Sequence, residues 1–343
     1  MTAGGRKGAK PGRRESAAPA APPRHSALGQ GPEFDRIRSI AAVLGASAGS
    51  LGDDCALIPE GPGRLVASCD LSVEGVHFRT DWLSLEEIGW RAAAGALSDL
   101  AAAGARPVGV LVSLGVPEHA SEDAPAGVMA GVGAAVAAAG GRVLGGDLSR
   151  ARSWLVDLMV LGRAERPLSR AGAAPGDGVW LTGRLGGARA ALGAWLRGAT
   201  PPAAARTAFA HPVPRLAAGQ ALAAAGATAM LDLSDGLGGD AAHLAAASAC
   251  ALEIDLALLP VHPDVEDAAR LAGVAPAQFA AQGGEDYELL ATMPAVFGPA
   301  DAARIAEETG VALTRIGVVL AGSGVRFLLA GEPIRLHGFD HFA

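Results

Sequence analysis

The sequence predicts a two-part α/β (α+β) protein, and three observations carry that reading. Half of the 343 residues are hydrophobic, enough for one large or two medium cores. From about residue 34 onward, apolar periods of two and of 3.6 residues alternate along the chain. A stretch rich in Gly, Pro, Arg and Ala, 163–178, interrupts them near the middle. The expected organisation is a disordered basic extension over 1–30, an N-terminal domain over 31–165 and a C-terminal α/β domain over 166–343.

Each element follows from local chemistry. Phe34, Ile37, Ile40, Ala41 and Leu44 have helical spacing, and Gly45 ends it. Residues 49–54, Gly-Ser-Leu-Gly-Asp-Asp, read as a loop. Arg64 to Asp70 alternates as a strand that ends on a carboxylate. Ser84-Leu85-Glu86-Glu87 has capping-box spacing and starts a helix running to Gly104, with Asp99 in its last turn. A carboxylate there opposes the helix dipole and calls for a cation. Pro107–Val116 reads as a strand, Ser121–Gly140 as a helix, Arg142–Gly145 as a strand ending at Gly146-Asp147, and Trp154–Leu161 as another strand. Beyond the connector, strands are expected at 179–181, 230–233, 254–256, 287–292 and 318–320. Helices are expected near 187–196, 216–225, 264–271 and 301–309.

Composition excludes several functions. Residues 1–30 hold six of the 28 basic side chains and one of the 35 acids, leaving a net charge of −12 for the remainder. So acidic a body does not suit nucleic acid, which needs a basic stripe to displace counterions. Lys7 and Lys10 are the only lysines, so neither a lysine-bearing phosphate loop nor a Schiff base is available. Cys55, Cys69 and Cys250 match neither a disulfide framework nor a zinc motif, which points to a reducing cytoplasm. The basic N-terminus is not followed by an apolar stretch of signal-peptide type, and the long uncharged run 124–141 is too weakly apolar for a membrane span.

The chemistry lies in acids that stand beside glycines or at strand ends. They are Gly52-Asp53-Asp54, Ser68-Cys69-Asp70, Gly145-Gly146-Asp147, Asp232-Leu233-Ser234-Asp235-Gly236 and Gly283-Gly284-Glu285-Asp286. Taken singly, each is also an ordinary turn. Together they describe carboxylates around a polyphosphate, with magnesium ions bridging the two. Gly236-Leu237-Gly238-Gly239-Asp240-Ala241 also fits a dinucleotide fingerprint, but Asp232 and Asp235 beside a pyrophosphate suit metal-bridged phosphate better.

The strings Gly-Asp-Asp-Cys-Ala-Leu-Ile (52–58), Ser-Cys-Asp-Leu-Ser-Val-Glu-Gly-Val-His-Phe (68–78) and Leu-Ser-Asp-Leu-Ala-Ala-Ala-Gly-Ala (97–105) resemble the thiamine-monophosphate kinase family. So do Gly-Gly-Asp (145–147), Leu-Asp-Leu-Ser-Asp-Gly-Leu (231–237), Gly-Gly-Glu-Asp-Tyr-Glu-Leu (283–289) and the terminal Gly-Phe-Asp-His-Phe (338–342). The resemblance spans 31–343 and implies the aminoimidazole ribonucleotide synthetase-like fold. In that fold the N-terminal domain binds ATP and Mg2+ and contributes strands to a β-barrel at a homodimer interface. It implies Asp54, Cys69, Asp70, Asp99, Asp147, Asp232 and Asp235 at the metals, Cys69 through its backbone. Asp147, Asp232 and Asp235 would be catalytic, and Gly146, Asp147, Arg170 and Ser234 would meet ATP. His77, Glu285 and Phe339 would meet thiamine monophosphate. The implied reaction is in-line transfer of the ATP γ-phosphoryl group to thiamine monophosphate. A sister synthetase of the same superfamily, or a non-catalytic nucleotide or thiamine-phosphate sensor, remains compatible with the same residues.

Overall fold

In the computed structural model of the chain the described residues are Met1, 32–45 and 60–338. Asp54 and Phe339 lie outside them, as do most of the N-terminal extension and the loop 49–54. The first half runs α1 (Pro32–Leu44), β1 (Arg64–Val73), α2 (Leu85–Ala102), β2 (Arg106–Pro117), α3 (Ala124–Ala138), β3 (Val143–Ala151) and β4 (Leu155–Ala164). Its four strands form one sheet in the order β1-β4-β2-β3, antiparallel except for the β2/β3 pair.

The second half begins with β5 (Gly178–Thr182), α4 (Gly187–Leu196), α5 (Ala203–Ala210), α6 (Leu216–Ala224) and β6 (Ala229–Asp232). It continues with α7 (Leu237–Ser248), β7 (Ala251–Asp255), α8 (Val265–Ala272), α9 (Pro276–Ala281), β8 (Leu289–Met293) and α10 (Pro299–Thr309). It ends with β9 (Leu313–Leu320), β10 (Gly324–Leu329) and β11 (Glu332–Ile334). These strands make a seven-stranded mixed sheet in the order β11-β10-β7-β9-β5-β8-β6.

Local rules explain the elements that matter for the site. The Ser84 hydroxyl accepts from the Glu87 amide at 3.2 Å and the Glu87 carboxylate from the Ser84 amide at 2.9 Å, so the capping box forms. Helix α2 then buries Ile88, Ala92, Ala93, Ala96, Leu97 and Leu100 against its neighbours. Small residues let it approach closely: a Cβ on Gly89 or Gly131 would strike the facing helix's backbone, so α2 and α3 pack almost backbone to backbone. In β1, Leu65, Ala67, Cys69 and Leu71 are exposed and alternate with half-buried Val66, Ser68 and Asp70.

Two boundaries correct the sequence expectation. β1 continues past Asp70 to Val73, and β3 runs to Ala151, so Gly146 and Asp147 sit within a strand instead of ending one. Gly146 is there because the Val112 carbonyl of β2 occupies the place a Cβ would take. The pair Gly145-Gly146 thus marks a close strand approach where a strand end was expected. Helices α5 and α9 and strands β10 and β11 have no counterpart in the sequence reading.

Candidate active site

Segments from both halves converge on one cavity of about 600 Å³. From the first half come the half-buried face of β1 and the last turns of α2, which place Asp70 and Asp99 beside each other. The Ser68 hydroxyl, two residues along the same face of β1, donates to Asp99 Oδ2 at 2.5 Å. Gly95 leaves the space between them open, since a Cβ there would crowd Asp70 and the Tyr287 hydroxyl at 3.1–3.2 Å.

From the second half come the end of β6, with Asp232, Ser234 and Asp235, and the segment 283–288. That segment lies along 233–234 by backbone pairing: Glu285 N donates to Ser234 O (2.7 Å), Tyr287 N to Leu233 O (3.0 Å) and Leu233 N to Glu288 O (2.8 Å). Glu285 and Tyr287 both have left-handed backbones, φ 64° and 52°, which a side-chain-bearing residue adopts at a cost of about 1–3 kcal/mol. The strain turns both side chains into the cavity wall.

Of the residues implied from the sequence, Cys69, Asp70, His77, Asp99, Asp232, Ser234, Asp235 and Glu285 line this cavity. Gly146, Asp147 and Arg170 do not. Asp147 is exposed on edge strand β3, in register with Ser113 of β2, which in turn pairs with Asp157 of β4. The Cys69 thiol donates to that Asp157 at 3.5 Å. Arg170 is exposed in the connector, yet its charge opposes the protonation of Asp99, Asp232 and Asp240. His77 accepts at Nδ1 from Val73 N (3.1 Å), so the neutral ring carries its proton on Nε2.

Electrostatics single out the acids. Burial, and then the charges of Asp99, Asp157 and Glu285, push Asp70 up to about 6, with Arg91 pulling the other way. Burial and Asp99 push Asp232 up to about 7. Asp240, in the first turn of α7, is pushed up to about 7 by burial and then by Asp235 and Asp232. Asp99 is raised chiefly by burial. Carboxylates this close ionise together only when cations stand between them.

The donor set fits Mg2+, being hard carboxylate oxygens from several elements. Among the described residues no three His, Cys, Asp or Glu side chains are already drawn to ligand distance of one point. The acids ring the cavity, which leaves room for water and phosphate oxygens in a magnesium coordination sphere.

Four participants were not foreseen from the sequence. Arg91 is buried in α2, ion-pairs with Glu285 and lies over the Phe209 ring at 3.7 Å. Tyr287 is interior, and burial pushes its phenol up. Asp240 and Arg189 complete the set. A visible signal did exist for the arginines: each stands directly before alanines on a helix, where a charge must find a partner or a ligand.

Residues 52–164 match the N-terminal domain of AIR synthase related proteins, and residues 174–329 match their C-terminal domain. Fold and site thus define the class, the AIR synthase related proteins. The thiamine-monophosphate kinase of Escherichia coli K12 is 37% identical over 338 residues, covering 90% of this chain and 96% of that one. That of Mycobacterium tuberculosis H37Rv is 35% identical over 243 residues, covering 70% and 73%. Among solved structures, the thiamine-monophosphate kinase of Stenotrophomonas maltophilia K279a superposes with a TM-score of 0.75 at 34% identity, covering 91% of this chain and 99% of that one. AaThiL complexed with AMPPCP and TMP superposes at 0.72 with 31% identity, covering 81% and 87%. The chain belongs to the thiamine-monophosphate kinase family.

Proposed function

We propose that this chain transfers the γ-phosphoryl group of ATP to the phosphate of thiamine monophosphate, giving ADP and thiamine diphosphate. The observation that carries the proposal is the cavity between the two halves, ringed by Asp70, Asp99, Asp232 and Asp235, in a chain of this family. The AaThiL complex with AMPPCP and TMP supports the same pair of substrates.

Asp70, Asp99, Asp232 and Asp235, with Asp147, Asp54 and the backbone of Cys69, would hold the magnesium ions. Bound magnesium neutralises the charge of two phosphate groups brought together. The acceptor phosphate is already an anionic nucleophile, so no side chain has to remove a proton from it. The protein's work is positioning and charge compensation. Asp147, Asp232 and Asp235 are the catalytic set in this reading. Gly146, Asp147, Arg170 and Ser234 receive ATP, with Arg170 able to present a planar fork to phosphate. His77, Glu285 and Phe339 receive thiamine monophosphate.

The unit of function in this reading is a homodimer of two-domain chains, 31–165 and 166–343. The partition of strands into two sheets supports the boundary. The dimer is supported by the uncovered face of the four-stranded sheet, where Leu65, Leu71 and Met159 stand 42–48% exposed and a barrel could close. Among the described residues no helix is long and apolar enough to cross a membrane. With Cys69 and Cys250 as free thiols, the cytoplasm is the compartment this reading assigns.

The test is incubation with thiamine monophosphate, ATP and Mg2+, with thiamine diphosphate resolved by chromatography. Product that disappears when the metal is chelated is the expected result. ATP binding without product would move the weight to another acceptor.

A further inference from the structure

Most cations around the active-site cavity already have partners. Arg91 pairs with Glu285 and Arg215 with Glu288, and the arginines that temper Asp70, Asp99 and Asp232 are Arg91 and Arg170. Arg189 is different. It stands in the first turn of α4 and is the only lysine or arginine among the described residues that line the cavity. Its guanidinium is held from one side: Nη1 donates to the Phe279 carbonyl at 2.5 Å, and the group lies 4.3 Å over the Phe279 ring. Phe279 is itself buried, so the clamp is rigid. Gly283 makes room for it, since a Cβ there would press on the Arg189 side chain at 3.0–3.2 Å.

Among the described residues no carboxylate pairs with Arg189. A half-buried guanidinium that has lost water and gained no counter-ion is an anion receptor waiting for its anion. We propose that Arg189 is a specificity-determining residue that receives the phosphate of the acceptor, which resolves the substrate into two recognitions. The acids hold the metal ions that serve the transferred group, while Arg189 holds the monoester phosphate that accepts it. The inference rests on the thiamine-monophosphate reading above, in which the acceptor's single anionic group is that phosphate.

The test compares Arg189→Gln and Arg189→Lys with wild type at saturating Mg2+, varying thiamine monophosphate and ATP separately. Calorimetric titration with thiamine monophosphate and with unphosphorylated thiamine runs alongside. In Arg189→Gln the KM and Kd for thiamine monophosphate rise about ten- to a hundredfold, the range of a lost charge-assisted hydrogen bond. The KM for ATP and the affinity for thiamine stay in place, and kcat falls less than KM rises. Arg189→Lys recovers part of the loss, because it restores the charge without the fork. An unaltered KM for thiamine monophosphate in Arg189→Gln, or a rise confined to ATP, overturns the inference while leaving the kinase intact. A wild-type protein that makes no thiamine diphosphate overturns the reading beneath it and the inference together.

Discussion

Asp232 and Glu288 are buried acids at adjacent ends of paired strands, since Asp232 stands in register with Leu289, the residue after Glu288. Their surroundings are opposite. Glu288 accepts from Arg215 Nε at 2.7 Å and Nη2 at 2.5 Å, and from the Thr182 hydroxyl at 2.7 Å. The Thr182 hydroxyl in turn accepts from Leu289 N at 2.7 Å. Gly183, at φ 57°, has no Cβ because Glu288 fills that space. Asp232 faces other carboxylates and is pushed up to about 7 by burial and by Asp99. A few ångströms of chain therefore separate an acid with an ion pair built in from one that, among the described residues, has none. The first suits stability, and the second suits the metal-holding role proposed for it.

The sharpest way to break that contrast is Asp232→Asn. In the proposed mechanism Asp232 holds magnesium, so its removal should lower turnover about a thousandfold, on the scale of other charge-stabilising groups. The same change removes a buried charge, so the metal-free variant at pH 8 should melt above wild type. A variant within tenfold of normal turnover would take Asp232 out of the catalytic set, and a melting temperature well below wild type would make it structural.

Glu288→Ala should do the reverse. It strands Arg215 and the Thr182 hydroxyl and should cost about 3–5 kcal/mol of unfolding free energy, read from denaturant titration. Removing the charge from Arg215 as well, in Glu288→Ala with Arg215→Met, should recover part of that cost. A single-variant loss under about 1 kcal/mol, the range of an exposed pair, would show that Glu288 is no better provided for than Asp232.

How much of this was legible in the sequence follows from the range of each interaction. The Ser84–Glu87 capping box, the alternation in β1 and the site acids on the second half's loops are written within a few residues, and the expected cavity acids do meet. Asp147 was placed at a strand end because Gly145-Gly146 has the local look of a turn. The Val112 carbonyl that demands Gly146 lies 34 positions away and leaves no local mark. Glu285 was anticipated, but its pairing with Arg91 depends on α2, nearly 200 residues earlier, and its left-handed backbone goes with its pairing to Ser234. Arg189 was passed over for the same reason, as Phe279 clamps it from 90 positions further on. Short-range chemistry named the acids, and long-range packing decided which would be neutralised by the protein itself.

The unneutralised acids also set the pH dependence of the metal-free protein, the smallest of the expected effects. Asp70 is held at about 6, and Asp232 and Asp240 at about 7, each above the 3.8 of an unfolded aspartate. Between pH 4 and 7 the folded state therefore binds more protons than the unfolded one, and stability must fall as pH rises through that window. Most globular proteins show the opposite slope there, because their carboxylates are better stabilised when folded. In chelator, unfolding free energy should drop by about 3 kcal/mol between pH 5 and 8, a discounted sum at roughly 1.4 kcal/mol per shifted unit. Mg2+ should return more of that loss at pH 8 than at pH 6, because it competes with protons for the same oxygens. Calorimetric melts at the two pH values, with and without metal, measure both slopes. Metal-free stability that climbs from pH 5 to 8 would mean that these aspartates already have their partners inside the protein, and Asp232 would then be a second Glu288.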